Sequence, residues 1–106
     1  MISYRVIFSP EGRADLQDLR NYVFQISSSR RVAAKYIARL KKFCQGLSTA
    51  PHRGEQRFES KTGLRTIGFE RSISVVFRVI EKRQVVEIVG IYDHGRNPEF
   101  AQQRDF

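Results

Sequence analysis

The sequence predicts an α+β fold in which an antiparallel sheet packs on an N-terminal helical hairpin, in the order β-α-α-β-β-β. Three observations lead there. Apolar residues recur at helical spacing on both sides of the serines at 27–29. Three strand-like segments follow between Leu64 and Tyr92, joined by very short links. A short alternating stretch before the first helix supplies one more strand.

Tyr4 to Phe8 alternates, with Arg5 between apolar neighbours, and reads as the first strand. Ser9-Pro10-Glu11 then starts a helix. Ser9 can accept from orphan amides, Pro10 suits the first helical position, and Glu11 suits the positive helix end. Leu16, Leu19, Val23 and Ile26 form its apolar stripe, and Gly12 on the same face permits a close approach. Ser27-Ser28-Ser29 breaks this helix and offers caps for the next. The second helix has one apolar face of Ala33, Tyr36, Ile37, Leu40, Phe43, Cys44 and Leu47, with Arg31, Lys35, Arg39 and Lys42 opposite. It should end near Ser48, before Pro51. Pro51 to Thr62 reads as a polar loop with Gly54 and Gly63 as breakers.

Strands are expected at Leu64–Phe69, Ile73–Ile80 and Val85–Tyr92, with turns at Glu70-Arg71-Ser72 and Glu81-Lys82-Arg83-Gln84. Links that short force antiparallel pairing. Period-two counting puts Ile73, Val75, Phe77 and Val79 on the face toward the helices. The opposite face then carries Ser74, Val76, Arg78 and Ile80, and the charges of Arg65 and Glu87 mark its other members as Arg65, Ile67 and Phe69 and as Val85, Glu87, Val89 and Ile91. No remaining element is long enough to cover that face, so the expectation is a bare, apolar, arginine-bearing surface that binds a partner. The tail from Asp93 is polar, with a short helix expected after Pro98.

All 106 residues fit one domain, and no apolar run can span a bilayer. The N-terminus does not read as a secretory signal, and the single cysteine, Cys44, precludes an internal disulfide and suits a reducing cytoplasm. Charge is the informative number. With 19 Lys+Arg against 11 Asp+Glu the chain carries +8, which favours an anionic partner, either nucleic acid or an acidic protein.

Several stretches carry a family resemblance. They are Tyr4-Arg5-Val6-Ile7-Phe8-Ser9-Pro10-Glu11 with Ala14-Asp15-Leu16, the Pro51…Gly54 loop, Gly63-Leu64-Arg65, Val75-Val76-Phe77-Arg78-Val79, and His94-Gly95-Arg96. In order and spacing the chain resembles the ParE/RelE toxins of bacterial toxin–antitoxin modules, and within them the ParE branch, known as plasmid-stabilisation proteins. The resemblance implies a toxin neutralised by a ParD-like antitoxin whose acidic C-terminal tail folds over it, a hetero-oligomer needing no cofactor or metal. ParE relatives poison DNA gyrase, whereas RelE relatives cut messenger RNA in the ribosomal A site.

The residues bear on that choice. Ribonuclease relatives need donors for the phosphorane charge and a group that moves the 2′-hydroxyl proton. They hold two lysines on the second strand, an arginine early in the third, a basic residue after the fourth and often a tail tyrosine. By resemblance these positions fall here at Arg65 and Ile67, at Ser74, at His94 and Arg96, and at Phe100 or Phe106. Only Arg65, His94 and Arg96 keep the character, so a binder is favoured over a nuclease, and those three would be the catalytic set if it were one. The partner-binding candidates are Arg65, Ile67, Val76, Arg78, Val89 and Arg96. A histidine titrates near neutral pH, so His94 could serve a ribonuclease as acid or base. Beside Gly95 at a strand exit, without an acidic partner or a lysine pair, packing or capping is the favoured reading. His52 lies in a loop without a second ligand, which speaks against a metal. The basic back of the second helix could touch nucleic acid, although a solvated face is the commoner meaning. Tyr22 and Phe24, off the stripe of the first helix, could meet an antitoxin, a second toxin copy or the core edge.

Overall fold

A computed structural model describes residues 3–52, 55–56 and 63–93. The chain opens with strand β1 (Arg5–Phe8) and helix α1 (Pro10–Ser27). The Ser9 hydroxyl accepts from the Gly12 amide at 3.0 Å, so Ser9 is the N-cap and Pro10 the first helical residue, as expected. A Cβ on Gly12 would come within 2.5 Å of the Ile88 carbonyl oxygen, so only glycine lets α1 lie this close to the sheet. Ser28 turns left-handed with φ 55° and donates its N–H to the Phe24 carbonyl, ending α1. The Ser29 hydroxyl accepts from the Val32 amide and starts α2 (Arg30–Gln45), which runs into a 3₁₀ turn at Gly46–Ser48.

Strand β2 is only Glu55–Gln56, inside what the sequence suggests is all loop. Then come β3 (Leu64–Phe69), β4 (Ile73–Ile80) and β5 (Val85–Asp93). The sheet order is β1-β5-β4-β3-β2. Strands β3, β4 and β5 pair antiparallel, as their short links require. β1 instead runs parallel to β5, from Arg5 opposite Val85 to Phe8 opposite Ile88, so the sheet is mixed. No hairpin dictates the direction of β1. It is set by α1, which must turn straight back over β5 where Gly12 meets Ile88.

Between the helices and the sheet lies the main core. It joins Leu16, Leu19 and Val23 of α1 with Ala33, Ile37, Leu40 and Cys44 of α2 and with Ile73, Val75, Phe77, Val86 and Ile88 below. The stripe of α2 is borne out, with Tyr36 and Phe43 half-buried at its edge. The stripe of α1 is corrected at Ile26, which is 66% exposed on the last turn of the helix.

The strand faces also need correction. Cross-strand partners share a face. Arg65 stands opposite Phe77, Ile67 opposite Val75 and Phe69 opposite Ile73, so all three belong to the helix side of the sheet. The charge of Arg65 misleads because this residue sits near the start of β3, where its guanidinium reaches out to the His52 carbonyl at 3.2 Å. In β5 the register shifts. Val76 pairs with Gly90 but Phe77 with Ile88, leaving Val89 as an extra residue, a β-bulge. Alternation resets there, and Ile91, counted outward in the sequence, enters the main core. The buried Asp15 carboxylate accepts from the Ile91 amide at 2.8 Å, satisfying the backbone beside the bulge.

Candidate functional site

The far sheet face is not bare. Leu64, Val76, Val89 and Tyr92 bury there as a second apolar cluster, with Val76 fully inaccessible and Val89 8% exposed. A side chain is buried by whatever atoms pack over it, and no long regular segment is needed for that. Val76 and Val89 are therefore core residues, and the half-buried Ile67 packs against the main core. Of the six partner-binding candidates, Arg78 is the exposed one on this face, its guanidinium paired with Glu87 at 2.7 Å. Arg65 lies on the other side of the sheet. His94 and Arg96 lie outside the described residues, as do Phe100, Phe106 and the expected tail helix.

Folding assembles a polar cluster that no local signal announces. Glu81, on a 3₁₀ turn (Glu81–Arg83) between β4 and β5, accepts from the Tyr4 hydroxyl at 2.6 Å through one carboxylate oxygen. Its other oxygen lies 2.6 Å from Nε2 of His52. The rings of Tyr4 and His52 meet edge to face with centroids 6.4 Å apart, and the Arg65 bond to the His52 carbonyl closes the group. The hydrogen bond from Tyr4, then that from His52, hold the Glu81 carboxyl below its ordinary range, and the same carboxylate raises the Tyr4 phenol. His52 thus has an acidic partner 29 positions away in sequence. Among the described residues no group of histidine, cysteine and carboxylates is arranged to hold a metal.

A second feature lies at the sheet edge. β1 is an outer strand, and beside it runs an open groove of ≈ 540 Å³. Val6, Ile7, Phe8, Leu16 and Ile37 give it an apolar floor, and Arg13, Arg20 and Lys41 give it a cationic rim. Ile7 is 37% exposed in it, and Arg13 ties the rim to the strand by donating to the Phe8 carbonyl at 3.1 Å. An extended or helical segment with apolar and acidic side chains matches this chemistry. The signal for it in the sequence is weak, because its residues come from three separate elements.

In shape the chain is similar to the toxin fold of several solved structures. The chromosomal ParDE toxin–antitoxin system of P. aeruginosa superposes with a TM-score of 0.70 at 21% identity, covering 86% of this chain and 96% of that one. The RelBE2 toxin–antitoxin complex of Mycobacterium tuberculosis gives 0.62 at 22% identity, covering 88% and 93%. A mutant of the E. coli toxin RelE in its free state gives 0.61 at 15% identity, covering 94% and 93%. No curated protein sequence matches significantly. The family profile of the ParE toxin of the type II toxin–antitoxin system parDE matches residues 6–98. With that profile spanning nearly all of the β-α-α-β-β-β frame, this chain belongs to the ParE toxin family of type II toxin–antitoxin systems.

Proposed function

We propose that this toxin arrests growth in the cytoplasm by binding and poisoning DNA gyrase, and that an antitoxin with an acidic tail neutralises it as a hetero-oligomer. The observation that carries the gyrase reading is the chemistry of β3 and the start of β4. Leu64–Phe69 contains no lysine in any register, and the side chains on the far face there are Leu64, Thr66 and then, across the sheet, Ser74. Of the basic set a ribonuclease relative holds there, only Arg65 remains in β3, and Ser74 replaces the arginine early in β4, so most of the donors for a phosphorane are missing. A toxin lacking that set acts by contact. The acidic tail fits the β1 groove, where three cations surround an apolar floor beside an open strand edge. Arg65 and Arg96 are proposed as contacts to the target. The deciding experiment incubates supercoiled plasmid, purified gyrase and the protein, and reads linear DNA. Toxin-dependent linearisation supports the proposal, and its absence at saturating toxin rejects it.

The second reading, ribosome-dependent mRNA cleavage, is favoured by one observation, the His52–Glu81 pair flanked by Tyr4 and Arg65. A carboxylate that orients an imidazole is the arrangement of an acid–base catalyst. Codon-position cuts on translating ribosomes that vanish in His52→Ala or His94→Ala would install this reading in place of the first.

A further inference from the structure

Among the described residues the exposed large apolar side chains are Ile7, Phe24, Ile26 and Val32. Ile7 belongs to the β1 groove. The other three lie near the tip of the helical hairpin, in the last turn of α1 and the first turn of α2. Ile26 and Val32, 66% and 48% exposed, line one cavity together, while Phe24 lines a separate one with Arg30. Two neighbouring exposed apolar side chains on one cavity wall, unlike scattered surface apolar residues, mark an interaction site.

The tip is also rigid. The Ser27 hydroxyl donates to the Val23 carbonyl at 2.7 Å and accepts from the Ser29 amide, while the Ser28 N–H closes the end of α1 on the Phe24 carbonyl and the Ala33 N–H opens α2 on the Ser29 carbonyl. Ile26 and Val32 are therefore held in place before any partner arrives, which reduces the ordering cost of binding. Its charge is one-sided. Arg30 and Arg31 occupy the first turn of α2, where the helix dipole favours acids, and that turn holds no acidic residue. The Arg30 guanidinium lies 5.8 Å from the centre of the Phe24 ring, a pairing of the residue types enriched where proteins bind proteins.

A cavity of ≈ 460 Å³ adjoins the tip, lined by Tyr22, Ile26, Val32 and Tyr36 with Ser72 and Asp93 at its far side. No residue lines both this cavity and the β1 groove, so the two surfaces can be filled at once. A second copy of this chain is a poor occupant, because it would set Arg30 and Arg31 against their own duplicates. A phosphate backbone would pair the arginines but leave Ile26 and Val32 unused. What matches both halves is a folded protein with an apolar pocket rimmed by carboxylates.

We infer that the hairpin tip, through Ile26 and Val32 flanked by Arg30 and Arg31, docks the protein that this toxin disables, on a surface separate from the antitoxin groove. The inference rests on the reading of a protein target but not on that target being gyrase. Ile26→Asp and Arg31→Glu test it, both at exposed positions. Each is expressed from an inducible promoter, and each purified variant is titrated with the antitoxin encoded by the neighbouring reading frame. The expected result is a loss of growth arrest, with roughly tenfold or more inducer needed to restore it, and antitoxin affinity within about threefold of the parent. Arrest at the parental inducer level overturns the inference. A drop in antitoxin affinity of roughly tenfold reassigns the tip to the antitoxin and overturns it too, as does a fall in binding to a labelled single-stranded RNA. If both variants lose arrest while the parent leaves gyrase untouched, the gyrase proposal fails and the tip assignment stands.

Discussion

Leu40 is fully buried at the centre of the α2 stripe, while Lys42 projects from the opposite face. Leu40→Ala removes buried methyl groups and leaves a cavity, at an expected cost of roughly 2–5 kcal/mol. Lys42→Ala should change stability by about 0.5 kcal/mol or less. Denaturant midpoints of the two variants check the face assignment, and equal losses would contradict it. Cys44 lies on the same buried stripe, and desolvation pushes its thiol up to about 12. Since the thiolate is the reactive form, iodoacetamide should label Cys44 only as denaturant opens the fold, in step with the unfolding curve. The linkage sign follows from the raised value. The neutral thiol stabilises the fold fully at pH values below the unfolded thiol pKa, about 8.5, and that contribution fades as pH climbs toward 12.

At the level of elements, two long-range ties hold pieces that local structure does not. The Asp15 carboxylate fixes α1 to β5 beside the Val89 bulge. Asp15→Ala leaves the Ile91 amide unpaired and should cost about 1–3 kcal/mol, whereas Asp15→Asn keeps an acceptor and should recover part of that loss. Thermal denaturation of the pair measures it, and equal losses would show that the bond is incidental. The other tie is Glu81, which joins the residues before β1 and after α2 to the β4–β5 turn. Its depressed pKa means that the tie is present above the ordinary carboxylate range and is lost as pH falls through the folded value. The phenol of Tyr4 is raised, so its share persists at neutral pH and is lost only as pH rises above the ordinary tyrosine range. Carbon-detected titration of Glu81 should therefore move upward in Tyr4→Phe, and less so in His52→Ala, since Tyr4 is the larger cause. An unmoved carboxyl in both variants would refute the cluster.

For the molecule as a whole, a net charge of +8 on one small domain draws in acidic surfaces, and among the described residues the exposed large apolar side chains fall at the β1 groove and near the hairpin tip. On the gyrase reading, toxicity does not rest on an acid–base histidine. His94→Ala should leave gyrase-dependent linearisation of plasmid largely intact, where loss of a true general acid or base would cost roughly 10²–10⁴-fold. Arg65→Glu or Arg96→Glu should weaken it. A collapse of linearisation in His94→Ala with both arginine variants unaffected would reverse these roles.

What the sequence determined alone was whatever physics acts over a few residues. Ser9-Pro10 and Ser29 place helix starts because caps are local, and the short links around Glu70 and Lys82 force antiparallel pairing of β3, β4 and β5. The α2 stripe follows from helical periodicity, and the family followed from the order of these pieces. Tertiary structure alone decided which face Arg65 and Ile67 join, because a strand's face is set by its cross-strand partners and not by one charged residue. It also decided the bulge at Val89, since alternation cannot reveal where a residue is skipped, and the parallel direction of β1, which no short link constrains. The Tyr4–Glu81–His52 cluster spans 77 positions, and only packing can bring such groups within hydrogen-bonding distance.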